Sequence, residues 1–192
     1  MSKKQEIILT ARELMNSKGY RSTSISDILE ASEIGKGQFY YYFSSKYDLG
    51  LAVVENVINE WETHFFSIFE TSEEPAAKLN EMLDKNLAFY TDDLMMSGCP
   101  IGNLACEMSE HDETFRQKIQ YVFDRWIGAV EEALTGMVKE GRLDANMDTK
   151  KNAQAIVAMV EGGILLMKNQ QDAHFLSNVF DVIRAQFNLT ES

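Results

Sequence analysis

The chain is poor in proline and cysteine and has no long apolar run, and each scarcity removes a class of protein. Only two prolines, Pro75 and Pro100, interrupt 192 residues. Both suit the first turn of a helix, so the chain is free to be helical almost throughout. Period-2 apolar runs bounded by turn residues are missing, which excludes a sheet. No stretch of about 18 apolar residues occurs, so no membrane span is expected. Residues Met1 to Glu6 lack the apolar segment and cleavage site of an export signal. Two cysteines, Cys99 and Cys106, make no disulfide framework, and a cytoplasmic, reducing compartment is expected.

Enzyme signatures are scarce as well. The three histidines, His64, His111 and His174, are scattered, and none has Glu three residues before it, as a di-iron helical bundle requires. With two cysteines they do not supply a zinc set. No Gly-rich phosphate loop or nucleophile elbow is found. A helical-bundle enzyme is therefore the weakest functional reading. No catalytic residue, cofactor or metal ligand is expected.

What the chain does have is an ordinary core, with 45% apolar and 10% aromatic residues, enough for one or two domains. Its charge is uneven. The net charge is -12, yet the first 50 residues carry +1 and the remainder carries the whole acidic excess. Such a head can approach phosphate while an acidic body is repelled and fixes the orientation. A solvated acidic surface that aids solubility fits the same numbers.

The apolar spacing predicts about nine helices in an all-α chain. The first runs from about Lys4 to Ser17, with Ile7, Ile8, Ala11, Leu14 and Met15 on one face, and Gly19 closes it. Ser24 and Asp27 are spaced as a capping box for a short second helix. A third covers about Lys36 to Phe43. A long fourth helix is expected from Lys46 to Glu70, followed by helices near 75–96, 100–109, 112–140, 148–169 and 172–188. The expected division is a helix-turn-helix head over 1–50 and an effector-binding and dimerisation domain over 51–192.

Two short helices joined by a tight turn and preceded by a packing helix form a helix-turn-helix. On the third helix Phe39 and Phe43 lie four apart and turn inward with Ile34 and Leu29. The opposite side carries Gly37, Gln38 and Tyr41, flanked by Tyr40 and Tyr42, with Lys36 at its start. Three successive tyrosines span about 200° of helix, so they cannot all face a core. Gly37 removes bulk where a helix enters a groove about 12 Å wide. Gln38 suits adenine and Tyr41 a thymine methyl. Tyr40, Thr23, Ser24 and Lys46 suit phosphate, which positions without specifying sequence.

The blocks Thr10-Ala11-Arg12-Glu13-Leu14-Met15, Gly19-Tyr20, Thr23-Ser24-Ile25-Ser26-Asp27-Ile28, Gly35 to Phe43 and Ser45-Lys46-Tyr47-Asp48-Leu49 resemble the DNA-binding head of TetR-family transcriptional regulators. The resemblance covers about the first 50 residues. It implies an all-helical homodimer that holds a palindromic double-stranded DNA operator and has a C-terminal ligand domain, usually acting as a repressor. Two positions depart from the family pattern: Gly35 stands where Ser or Thr commonly begins the recognition helix, and Gln38 where a small hydroxyl residue is common. An activator or an architectural DNA binder uses the same head.

In the body, Ala153, Ile156, Val157, Val160, Ile164 and Met167 form one stripe, and Phe175, Val179, Phe180, Ile183 and Phe187 another. Each is either intramolecular core or, as the resemblance implies for the last two helices, a dimer seam. Gly162-Gly163 sits mid-helix, where each Gly costs about 1 kcal/mol against Ala, which points to close backbone approach. Trp61, Phe65, Phe89, Met96, Cys99, Asn103, Phe115, Trp126 and Met159 are candidates for an effector pocket suited to a small apolar or electrophilic ligand. The same residues also suit an ordinary core. Pro100 at a helix start places Cys99 at the N-cap, where free N–H groups favour a thiolate. Gly98-Cys99-Pro100-Ile101-Gly102-Asn103 also resembles a Gly-Cys-x-x-Gly-Asn segment in one branch of TetR-like regulators, some of which sense electrophiles or oxidants. Cys99 is thus either a redox sensor or a small buried cysteine in a tight turn.

Overall fold

The computed structural model describes residues 1–71, 74–91 and 97–189. All regular structure among them is helical: α1 (Lys3–Lys18), α2 (Ile25–Ala31), α3 (Lys36–Tyr42), α4 (Lys46–Glu60), a π-helical turn (Trp61–Phe65), α5 (Ser67–Thr71), α6 (Pro75–Thr91), α7 (Pro100–Met108), α8 (Glu113–Lys139), α9 (Thr149–Gln170) and α10 (His174–Gln186). The expected fourth helix is thus divided at Trp61. Phe66 N–H reaches back five residues to Trp61 O at 2.8 Å, and the extra residue in the turn shifts the aromatic register. Trp61 and Phe65 then both meet Trp126, at centroid distances of 5.5 and 5.4 Å.

Chain contacts divide the described residues into two compact units. The first comprises Met1–Glu60 and Pro100–Gln120. Its core is made where α1, α2, α3 and α4 meet, from Ile7, Ala11, Ile28, Phe39 and Leu49, all fully buried. Residues of α7 and the start of α8 complete this unit. Phe115 packs on Tyr20 at 5.3 Å and on Tyr47 at 5.7 Å. Gly50 makes room for both rings, since an added Cβ would stand 2.5 Å from Tyr20 and 3.1 Å from Phe115.

The second unit comprises Trp61–Cys99 and Tyr121–Ser192. Its interior holds Trp126, whose indole N–H donates to Met82 Sδ at 3.2 Å. The α9 stripe from Ala153 to Met167 is buried here within the single chain, together with Phe180 and Ile183 of α10 and Phe187 just after it. Close approach of α10 to α9 explains Gly163: an added Cβ would lie 3.0 Å from Leu176 and 3.3 Å from Val179. Gly162 has open space above it. A second apolar set, Leu165, Leu166, Phe175 and Val182, faces outward on α9 and α10. Among the described residues no helix is long and apolar enough to cross a membrane.

Candidate nucleic-acid interface

The helix-turn-helix is aimed by its backbone caps. Ser24 Oγ accepts from Asp27 N–H at 3.1 Å, while the Asp27 carboxylate accepts from Ser24 N–H at 2.7 Å, so the expected capping box is formed. Hydrogen bonds from Ser24 and from Lys18 hold the Asp27 carboxyl down to about 2. Gly35 begins α3 with extended backbone and no side-chain cap.

α3 divides cleanly between core and solvent. Phe39 is wholly buried and Phe43 nearly so, whereas Tyr41 is 81% exposed and Tyr40 53%. Lys36, Gly37 and Gln38 are exposed beside them and Tyr42 is half-buried. The rings hold each other edge to face, Tyr41 on Tyr42 at 4.9 Å and Tyr40 on Phe39 at 5.2 Å. Nothing in the fold of the unit requires this aromatic face to be bare. Its width and its neighbours, a cation, an amide and a side-chain-free glycine, suit the floor of a major groove.

Two expected phosphate ligands are placed otherwise. Thr23 is fully buried, and its hydroxyl donates to Gly19 O at 2.7 Å. Lys46 Nζ donates to the carbonyls of Tyr20, Arg21 and Thr23 at 3.0, 3.3 and 2.9 Å and lies 4.7 Å over the Tyr20 ring. An ammonium has three donors, and here all three are spent on the chain itself. Lys46 and Thr23 thus shape the α1–α2 turn. Ser24 is exposed, but its hydroxyl is engaged with Asp27.

That turn is gripped from the other side by α7. The Glu107 carboxylate accepts from Tyr20 N–H at 3.3 Å and Arg21 N–H at 3.0 Å. It fits because Gly19, at φ +90°, has no Cβ to occupy the same place. Arg21 Nη1 lies 3.2 Å from His111 Nε2, and Asn103 Nδ2 donates to Asn16 Oδ1 at 2.8 Å. Sequence reasoning missed Glu107 as a holder of the head, although it lies only four residues after Asn103.

The expected pocket residues part company. Asn103 and Phe115 belong to the first unit, where they pack on the head. Trp61, Phe65 and Trp126 form one aromatic cluster of the second unit, Phe89 is partly exposed and Met159 half-buried. Met96 lies outside the described residues. Cys99 is 3% exposed and Cys106 is exposed. The neighbours of Cys99 are acidic. The Glu161 carboxyl and the Tyr90 hydroxyl both lie within hydrogen-bonding reach of its thiol. Burial pushes the Glu161 carboxyl above its ordinary value, and burial with two acidic neighbours pushes Tyr90 well above its own. Neither partner was foreseen, since they stand on α9 and α6 and no sequence spacing links them to Cys99.

A bare aromatic face on the second helix of a helix-turn-helix, set on an otherwise closed helical unit, defines a DNA-binding regulator. The comparisons give the family. Residues 7–53 match the "Bacterial regulatory proteins, tetR family" model and residues 75–182 the "Transcriptional regulator LmrA/YxaF-like, C-terminal domain" model. The chain is 38% identical over 188 residues to an HTH-type transcriptional regulator in the lacX 3' region of Lactococcus lactis subsp. lactis, covering 96% of this chain and 92% of that one. It is 24% identical over 184 residues to the HTH-type transcriptional repressor DhaR of Mycobacterium sp. strain GP1, covering 94% and 91%. The reduced form of Escherichia coli NemR superposes with a TM-score of 0.84 at 21% identity, covering 95% of each chain. The chain belongs to the TetR family of transcriptional regulators, a class that binds DNA and is not enzymatic.

Proposed function

We propose that the protein is a cytoplasmic homodimeric repressor that holds a palindromic operator through α3 and releases it when a small electrophilic or apolar effector acts at the second unit. The observation that carries the DNA reading is the exposure of Tyr40 and Tyr41 on the same short helix whose Phe39 is wholly buried. Gln38, Gly37, Tyr41 and Tyr42 face the bases in this reading, with Lys36, Tyr40 and Ser24 at the backbone. The outward apolar set Leu165, Leu166, Phe175 and Val182 supports pairing through α9 and α10, since such residues are otherwise costly to leave wet. Repression is supported by the likeness to DhaR, named a repressor.

Sensing through Cys99 is supported by its burial among acid–base groups and by the likeness to NemR, a repressor solved in a reduced form. Pro100 follows Cys99 directly and starts α7, the helix whose Glu107 grips the α1–α2 turn. A displacement at Cys99 is passed along α7 to that grip and re-aims α3. A coupling of about 1–3 kcal/mol lowers operator affinity roughly 5- to 150-fold.

The test is selection of bound fragments from a genomic pool, then anisotropy titration of the chosen fragment with wild type, Gln38→Ala and Cys99→Ser. Gln38→Ala should weaken and relax the chosen sequence. Cys99→Ser should bind normally but resist release by an electrophile. A pool with no preferred fragment would refute the operator reading, and normal release of Cys99→Ser would refute sensing through that thiol.

A further inference from the structure

We propose that the hollow between α1 and the α2–α3 turn is a second ligand site, placed in the DNA-binding unit itself, and that it takes a linear diamine whose two ammonium ends meet Glu13 and Glu33.

The hollow holds about 390 Å³, within the ordinary range of small-molecule sites. Lys3, Glu6, Thr10 and Glu13 line it from α1, and Ser32 and Glu33 line it from the turn. Ser32 carries the argument. It caps the end of α2 and is only 7% exposed, yet its Oγ has no hydrogen-bond partner. A buried hydroxyl is ordinarily paired, because it has given up its water. The backbone around it is already served. Ser32 N–H donates to Ile28 O at 2.9 Å, Ile34 N–H to Leu29 O at 3.0 Å, and Ser32 O accepts from Lys3 Nζ at 3.3 Å. The hydroxyl is left for a group that enters the hollow.

Charge selects the ligand. The lining sets one side-chain cation against three carboxylates. Lys3 Nζ is held by Glu6 at 2.9 Å, so these two offset each other. Glu13 and Glu33 are exposed and make no ion pair with any described residue. An anion would meet two uncompensated carboxylates, whereas a cation would be drawn to them. A single metal ion does not fit the arrangement, since no three acidic, His or Cys side chains among the described residues gather closely enough to hold one. Two cationic ends on one chain fit carboxylates that stand on separate elements. Each ammonium brings three donors, so a carboxylate and a hydroxyl of Ser32 or Thr10 can share one end. Leu9 and Ala31 supply apolar lining for the methylenes.

The experiment titrates the full chain, without DNA, with putrescine and with cadaverine at low ionic strength, by calorimetry and by amide NMR. At least one of the two should bind saturably, shifting the amides of Thr10, Ser32 and Glu33, and the affinity should fall as salt is added. Glu13→Gln and Glu33→Gln should each weaken binding roughly 2- to 5-fold, and the double variant more than either. Butylamine, with one ammonium, should bind wild type more weakly than the diamine. Ser32→Ala should weaken binding while its melting temperature holds or rises, because it removes an unpaired buried hydroxyl; a hydroxyl of structural use would lower the melting temperature instead. No saturable binding of either diamine overturns the proposal. Binding that leaves those three amides unmoved places the diamine on the acidic body and also overturns it, as does equal affinity of wild type and the double variant or of wild type and Ser32→Ala. Magnesium ion that shifts the same amides no less tightly, at matched ionic strength, would show a counter-ion site only and overturn the diamine class.

Discussion

The two units invert each other. In the first, charged side chains serve the chain's own backbone: Lys46 is spent on three carbonyls and Glu107 on two N–H groups, while the tyrosines of α3 stand in water. In the second, the large rings of Trp126, Phe180 and Phe187 are buried, and a carboxylate, Glu161, is shut in with an oxygen unpaired. Each unit departs somewhere from the usual distribution of polar and apolar groups, the second also in its outward Leu165, Leu166, Phe175 and Val182, and such places are where function is proposed. Exposed aromatics mark the surface awaiting a partner.

The contrast is broken most sharply at Tyr41. Tyr41→Ala removes a ring with little packing to lose, so stability should stay within about 0.5 kcal/mol of wild type. Specific operator affinity should fall roughly 5- to 150-fold, the equivalent of about 1–3 kcal/mol for a base contact. Anisotropy titration with a thermal melt of the same sample separates the two effects.

Lys46 should behave in the opposite sense. Lys46→Ala deletes a charged donor from three carbonyls, and hydrogen bonds to charged groups are worth about 1.5–3 kcal/mol. A urea melt should show that loss. The dependence of DNA affinity on salt should keep its slope, whereas loss of a phosphate contact would reduce the slope by about one. Glu107→Ala, which touches no base, should weaken operator binding by loosening the α1–α2 turn, by less than Tyr41→Ala does. Equal binding by wild type and Glu107→Ala in anisotropy would remove α7 from the signalling path.

On α9 and α10, Leu165→Asp tests the outward apolar face. Sedimentation should show a shift from dimer to monomer, with the fold retained because Leu165 is exposed. The smallest expected effect concerns acid. The Asp27 carboxyl is held down to about 2 in the folded chain, below its ordinary value of 3.8. Its contribution is therefore complete above the ordinary value and is lost as pH falls through the folded one. The melting difference between wild type and Asp27→Asn should shrink between about pH 4 and pH 2.

The parts of the structure legible in the sequence were those set by near neighbours. The Ser24–Asp27 capping box, the inward Phe39 and outward Tyr41, the Pro100 helix start and the packing role of Gly163 all follow from spacings of a few residues. What stayed hidden depends on groups distant in the chain. Lys46 reads as a phosphate ligand until its carbonyl partners, some two dozen residues earlier, are seen around it. That Phe115 and Asn103 pack on the head emerges only once α7 and the start of α8 are found in the first unit. The break at Trp61 has no proline or glycine to announce it; it follows from rings that meet Trp126 on another helix. Glu161 carries no local mark at all.

The central claim, that the exposed face of α3 reads duplex DNA, is tested most directly by selecting bound sequences from a random duplex pool with wild type and with Gln38→Ala in parallel. The account predicts that wild type enriches a two-fold symmetric site and that the variant loses preference at one symmetry-related pair of positions while keeping the rest. Identical enriched sequences for both proteins, or none for either, would contradict it.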